Sequence, residues 1–208
     1  MKYIFSGIAV SILSFSSFAN TLNFNHVEVG YLQTDFDISG FVEPKGFNLV
    51  ASKQFENWYI TGSYANQQDE MRETFTYGDY SETFTVDFDF SRYSFGGGYI
   101  YPINESTTLD FSAQLGQFKV KSSYNDMGSD SDTTDTFFTH AQIRHLLSDQ
   151  FEVNALVGYE RLHDDESENN FVYRVGAQYY FTNQFSVGLS YKDADEFNDI
   201  GISARYSF

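Results

Sequence analysis

The sequence predicts an all-β protein, a transmembrane antiparallel up-and-down β-barrel of about ten strands, with eight as the alternative. Three observations predict it. Runs of about ten residues alternate apolar and polar side chains with period two and are separated by turns that alternate short and long. The chain is 19% aromatic, with 23 Phe and 16 Tyr in 208 residues, yet its mean hydropathy is only -0.38. Beyond the first residues, no apolar run approaches the roughly 20 residues of a spanning helix. The amino-terminus carries an export pattern: Lys2, an apolar uncharged stretch from Tyr3 to Phe18, and small residues Ser17 and Ala19 at the cleavage positions. Residues 1–19 are therefore expected to be a signal peptide and 20–208 a single barrel domain.

The first run, His26 to Phe36, sets Val27, Val29 and Tyr31 against His26, Glu28 and Gly30. The second, Gly46 to Phe55, carries Phe47, Leu49, Ala51 and Phe55 on one face. It turns tightly at Glu56-Asn57 into a third run, where Trp58, Ile60 and Tyr64 oppose Tyr59, Thr61 and Ser63. A long polar connection is expected over Gln67 to Thr83. In the fourth run Phe84, Val86, Phe88 and Phe90 share one parity while Tyr93, Phe95, Tyr99 and Tyr101 share the other. A bulge near Ser91-Arg92 would keep one face apolar, and Gly96-Gly97-Gly98 would allow curvature or leave room for a bulky lumen neighbour. After the turn at Pro102 to Glu105, the fifth run, Thr107 to Lys121, shows Leu109, Phe111, Ala113 and Leu115.

A second long connection, Ser122 to Thr134, precedes the sixth run, Asp135 to Leu147, where Phe137, Ala141, Ile143 and Leu147 oppose Phe138, His140, Gln142 and Arg144. Ser148-Asp149-Gln150 turns into Phe151, Val153, Ala155, Val157 and Tyr159 against Glu152, Asn154, Gly158 and Glu160. Past the acidic stretch Leu162 to Asn170, the eighth run opposes Phe171, Tyr173, Val175, Ala177, Tyr179 and Phe181 to Arg174, Gly176 and Gln178. Thr182-Asn183-Gln184 leads to the ninth, Phe185, Val187, Leu189 and Tyr191. After Asp193 to Glu196, the last run, Asp199 to Phe208, places Ile200, Ile202, Ala204, Tyr206 and Phe208 on one face and Arg205 on the other. This strand is expected to close the barrel against Val27 to Phe36.

The rival architecture is a periplasmic β-sandwich. Aromatic residues at the ends of the apolar faces favour a barrel, because rings with a polar edge suit a membrane interface. The expected girdle is Trp58, Tyr101, Tyr159, Tyr179, Phe181 and Tyr191, with Tyr59, Phe185 and Phe208 in the same bands. The opposite faces carry Gly, Ser and charges at membrane depth, which a lumen tolerates. Glu28, Arg144, Glu152, Glu160, Arg174 and Arg205 are expected to form a polar network inside. Cysteine is absent, so no disulfide stabilises this exported chain; a closed hydrogen-bond ladder in lipid would do so. A net charge of -17 argues against nucleic acid as a partner, since phosphate binding needs a basic face.

The export pattern, the alternating hairpins and the terminal strand ending Arg205-Tyr206-Ser207-Phe208 resemble the small outer-membrane β-barrel proteins of Gram-negative bacteria, the OmpA-like transmembrane-barrel superfamily. The resemblance covers nearly all of residues 20–208 and implies location in the outer membrane. It also implies that Tyr206 and Phe208 form the signal read by the outer-membrane insertion machinery. Eight strands in the best-known small members, against about ten here, mark the departure.

Chemistry-bearing groups are sparse. His163-Asp164-Asp165 with Asp193, Asp195 and Glu196 is one candidate for acid/base hydrolysis, and His140 with a nearby Ser is another. Neither has a fixing motif, so no enzyme activity, catalytic residue or cofactor is expected. Asp126, Asp130, Asp132 and Asp135, or Asp164, Asp165, Glu166 and Glu168, offer oxygen ligands for Ca²⁺ or Mg²⁺ but lack binding-loop spacing, so no dedicated metal site is expected. Solvated acidic loops, bridged through divalent cations to lipopolysaccharide, are the plainer reading. The expected function is structural or surface-interactive, by a monomer with a largely side-chain-filled lumen; a narrow low-conductance pore is the alternative and an embedded hydrolase the third reading. The facing of the last strand is testable: a charge at Ala204 should block assembly and Ser203→Thr should not, as read by the heat-modifiable electrophoretic shift.

Overall fold

Ten antiparallel strands close on themselves in the computed structural model, which describes residues 22–38, 41–77, 80–124, 128–163, 168–195 and 197–208. They are β1 (His26–Phe36), β2 (Lys45–Phe55), β3 (Trp58–Tyr77), β4 (Tyr80–Asn104), β5 (Thr107–Tyr124), β6 (Gly128–Ser148), β7 (Phe151–His163), β8 (Glu168–Tyr180), β9 (Phe185–Ala194) and β10 (Phe197–Ser207). Each strand pairs with its sequence neighbours. Closure comes from β1 and β10, in register from His26↔Ser207 to Phe36↔Phe197. The expected signal peptide, residues 1–19, lies outside the described residues.

Within the membrane band the alternation expected from sequence matches the observed facing. Phe95, Leu115 and Leu189 point outward and are 65%, 68% and 66% exposed, whereas Glu152 and Asp110 point inward and are 0% exposed. Water is absent on the outside of such a barrel, so this exposed apolar surface is the lipid contact rather than a defect. On β10, Ile200, Ile202, Tyr206 and Phe208 face outward, with the Tyr206 and Phe208 rings 6.3 Å apart.

Two expectations about the connections are corrected. The stretches Gln67 to Thr83, Ser122 to Thr134 and Leu162 to Asn170 are mostly strand: β3 and β4 stay paired out to Tyr77↔Tyr80, β5 and β6 to Tyr124↔Gly128, and β7 and β8 to Leu162↔Glu168. Polar composition does not prevent β pairing when both faces meet water. β2 stops pairing with β3 at Lys45↔Gln68 and β5 stops pairing with β4 at Val86↔Tyr124, so the β3–β4 hairpin rises past β2 by on the order of 30 Å and past β5 by on the order of 20 Å along the strand. The other correction is that no bulge occurs near Ser91-Arg92. The β3–β4 register is continuous through Ala65↔Arg92, and β4 shifts against β5 only at Pro102/Asn104.

The change of apolar parity therefore reflects a change of surroundings, not of register. In the band, Tyr93, Phe95, Tyr99 and Tyr101 face lipid. Above it the same strand turns Phe88 and Phe90 inward, where they stack on each other and on Phe118, and leaves Asp87 exposed outside. β5 repeats the inversion, with Leu115 outward in the band, then Lys119 and Lys121 outward and Phe118 inward. The boundary of the hydrocarbon is thus expected between Tyr93 and Asp89. Phe95→Lys, in the band, should cost about 2–4 kcal/mol and impair insertion. Asp87→Lys, on the same face but above the boundary, should insert normally by the same electrophoretic assay; equal behaviour would displace the boundary.

Candidate functional site: the lumen and its two closures

The short turns join the strands at the end of the barrel that carries both termini, the periplasmic end, and this end is sealed from within. Residues preceding β1 tuck into the opening. The Phe24 amide donates to Gln54 Oε1 (3.0 Å), and the Phe24 ring stacks on Tyr59 at 4.6 Å between centroids. Arg144 lies over the other side of Phe24, its guanidinium 4.8 Å from the ring, and donates to the Asn23 carbonyl at 3.0 Å. The same guanidinium meets Glu152 in a two-pronged pair, Nε to Oε1 at 2.8 Å and Nη2 to Oε2 at 2.9 Å, and the Tyr180 hydroxyl donates to Glu152 Oε2 at 2.6 Å. With Glu152 fully buried, every strong contact of this pair is internal.

Beside this floor, the Tyr59 hydroxyl donates to Asp110 Oδ2 at 2.8 Å, and His140 Nε2 lies 3.7 Å from the same oxygen. Tyr59, placed in the interfacial girdle by its neighbours in sequence, is instead 6% exposed and inside; it has the parity of Thr61 and Ser63. Gly98 makes this possible, because a Cβ there would meet the Phe111 carbonyl oxygen at 2.5 Å and the Tyr59 ring at 2.7 Å.

Higher in the lumen, Arg205 Nε donates to Glu28 Oε2 at 2.8 Å, and Gln178 Nε2 reaches the same oxygen at 3.3 Å. Glu160 pairs with Arg92 Nη1 at 3.2 Å, and Lys192 Nζ lies 3.9 Å from Asp199 Oδ2. Of the six expected network residues, four form two contact ion pairs. Arg144 joins Glu152 and Arg205 joins Glu28, while Glu160 takes Arg92, from the position where a bulge is expected from sequence. Arg174 lines the lumen without a hydrogen bond or ion pair among the described residues.

The outer end closes with rings. Phe36 sits 5.7 Å from Phe90 and 6.2 Å from Phe197, and Phe41 sits 5.8 Å from Phe88. Arg92 is held between Phe118 and Phe197, 5.0 and 5.4 Å from their centroids. The segment before β2 folds over this layer, since the Pro44 carbonyl accepts from the Thr34 amide (3.0 Å) and from Gln67 Nε2 (3.2 Å). Between floor and roof lies a cavity of about 420 Å³. The expected side-chain filling is therefore concentrated in two end layers, where bulky residues cluster, and not in the middle, where Gly, Ser, Asn and Gln line the wall.

The remaining sequence candidates separate. Trp58, Tyr101, Tyr179 and Phe181 face outward near the periplasmic ends of their strands, with Trp58 4.9 Å from Tyr99 and Tyr179 5.2 Å from Phe181. Tyr159 and Tyr191 lie in the outer halves of β7 and β9, and the Tyr191 hydroxyl donates to Asp193 at 3.0 Å. Asp126, Asp164, Asp165, Glu166 and Glu196 lie outside the described residues. Strand alternation sends Asp130 and Asp132 to one face of β6 and Asp135 to the other, and among the described residues no three acids or histidines gather as a metal-holding group. Ser112 is the cross-strand partner of His140, but no Ser–His hydrogen bond forms among the described residues. Asp195 accepts from the Phe171 amide at 2.8 Å, which orders the turn before β10.

An outward apolar band, an inward polar lumen and closure without a free strand define an integral β-barrel membrane protein. The family described as outer membrane protein beta-barrel domain matches residues 5–208, so the chain belongs to that family and resides in the outer membrane. No curated protein matches the sequence. Among solved structures, the β domain of the Bordetella autotransporter BrkA is similar with a TM-score of 0.55 at 10% identity, covering 89% of this chain and 100% of that one. Yersinia pestis Ail, solved with the heparin analogue sucrose octasulfate, gives a TM-score of 0.43 at 22% identity, covering 88% and 97%. Neisserial surface protein A gives 0.46 at 9%, covering 88% and 95%. The BrkA likeness is one of fold.

The floor makes a quantitative prediction. Arg144→Ala or Glu152→Ala should each destabilise the barrel by about 3–5 kcal/mol, because one charge is left buried alone. The double change to Met and Leu should recover most of that loss in denaturant unfolding, and a double variant as weak as the singles would contradict it.

Proposed function

We propose that the barrel acts from the cell surface as an interaction protein and not as an open channel. The observation that carries this reading is the wall made by β3, β4, β5 and β6, which continues past the hydrocarbon with an inverted pattern. Its inner side presents Met71 and Val86 above the ring layer of Phe88, Phe90 and Phe118, and its outer side Glu70, Arg72, Asp87 and Lys121. An apolar face kept in register this far above lipid is retained where it can meet a partner. The Phe24–Arg144–Glu152 floor and the ring layer at the mouth support a non-conducting lumen. The proposed role needs no enzyme chemistry and no cofactor.

Lipopolysaccharide is the proposed lipid partner. Lys45, Arg72, Lys119, Lys121 and Arg161 all face outward at the outer ends of their strands, at the height of anionic head groups. Their position favours direct pairing, with exposed acids such as Asp87 adding bridges through divalent cations. Tyr206 and Phe208, outward at the periplasmic rim, are the proposed contact for the insertion machinery, and the assembled barrel is proposed to be a monomer.

A narrow pore is the second reading, favoured by the cavity alone. Planar-bilayer recording separates the two. The wild-type barrel should show no steady channel, and replacing residues 70–85 by Asn-Gly should keep the electrophoretic shift while reducing the adherence of cells that display the protein. A stable nanosiemens-scale conductance, or undiminished adherence of the shortened variant, would overturn the proposal.

A further inference from the structure

The cavity is lined by five bases and four acids, with a fifth acid, Asp110, buried nearby. Around the cavity, Glu28, Glu152, Glu160 and Asp199 each lie beside one cation, namely Arg205, Arg144, Arg92 and Lys192. Arg174 is the remainder. Asp110, the other buried acid nearby, is engaged by the Tyr59 hydroxyl and faced by His140. Arg174 projects from β8 into the cavity between Leu156 on β7 and Lys192 on β9, its cross-strand neighbours. A guanidinium withdrawn from bulk water with no acid in contact is unfavourable, and the fork it presents is shaped for a planar carboxylate or a phosphate.

A second donor converges on the same space. Arg205 spends Nε on Glu28, but its Nη1 is buried with no hydrogen-bond partner. The wall of β3, β4 and β5, across the lumen from these two guanidiniums, is polar. Ser63 and Ser94 share a hydrogen bond of 2.8 Å, Ser94 donates to Gln114 at 2.8 Å, and Asn154 and Ser190 lie on the two strands that flank Arg174. At about 420 Å³ the cavity falls in the range of small-molecule sites. In a chain of net charge -17, five of the bases are gathered on the wall of this one cavity.

We propose that this cavity binds a small hydroxylated oxyanion, a polyol bearing a carboxylate or a phosphate ester, with Arg174 holding the anionic head and Arg205 Nη1 assisting. The ring layer on the outer side and the Arg144–Glu152 floor on the periplasmic side enclose the ligand. The assignment is independent of the surface-interaction reading, because neither Arg174 nor Arg205 lies on the extension of β3 and β4.

Calorimetric titration of the refolded barrel in neutral detergent tests it with three probes: gluconate, glucose 6-phosphate and uncharged glucose. Saturable heat is expected with one or both anions and not with glucose, and whichever anion binds identifies the head group. Arg174→Gln should weaken that binding by about ten- to a hundred-fold, the range of a lost charge-assisted contact, while Arg174→Lys retains part of it. The folding check is the electrophoretic shift. Because Arg174 has no internal partner, Arg174→Gln should unfold no earlier than wild type, whereas a structural arginine would be missed. Unaltered anion binding in Arg174→Gln, equal binding of glucose, or no saturable heat with either anion would each overturn the proposal.

Discussion

A backbone crossing hydrocarbon has to satisfy every N–H and C=O inside the protein, and in a β structure only closure does this. The ladder between β1 and β10 is therefore the contact on which the others depend. It joins the first described strand to the last, so no strand of the wall has a stable environment until the chain is complete. The outward face of β10 gives that closure its lipid surface, and Arg205 on its inward face pairs with Glu28 on β1, tying the seam from within as well as along the ladder.

Lipid outside and a polar interior inside impose one apolar parity, and departure from lipid reverses it. In β4 the reversal occurs within a few residues while the pairing with β3 and β5 continues unbroken. A bulge would have kept the apolar face pointing at lipid, but there is no lipid at that height for it to meet. Phe88 and Phe90 turn inward and meet Phe36, Phe41 and Phe118, so the mouth of the barrel has a core of its own, resembling a soluble sheet with one covered side. The seal of the mouth is thus a consequence of the strand running past the membrane.

The strands, their facing and the closing pair were legible in the sequence because period-two alternation is strong wherever one face is lipid. Alternation was less informative above the membrane, where both sides of a strand accept polar groups. Gln67 to Thr83 looked like a loop for that reason, although its residues pair across the whole length. The pairs inside the lumen were only partly legible. Parity put Glu28, Glu152, Glu160, Arg144 and Arg205 indoors, but which acid meets which base depends on strand stagger, which leaves no local trace. Arg92 was missed because it sits at the parity change, and Phe24 because it precedes the first strand and carries no pattern. Tyr59 was misplaced by its neighbour Trp58, although its own parity gives its position.

The two end layers differ in chemistry, and the difference follows from what each can draw on. At the periplasmic end the strands terminate in tight turns, so closure has to come from charged and aromatic side chains already pointing inward, with Phe24 inserted beneath them. At the outer end the strands continue, and apolar side chains are free to turn in once lipid is left behind. Between the layers the wall carries Ser63, Ser94, Gln114 and Asn154. Small residues and amides fill that level, and the volume they leave is why a barrel of this strand number retains a cavity instead of a solid core.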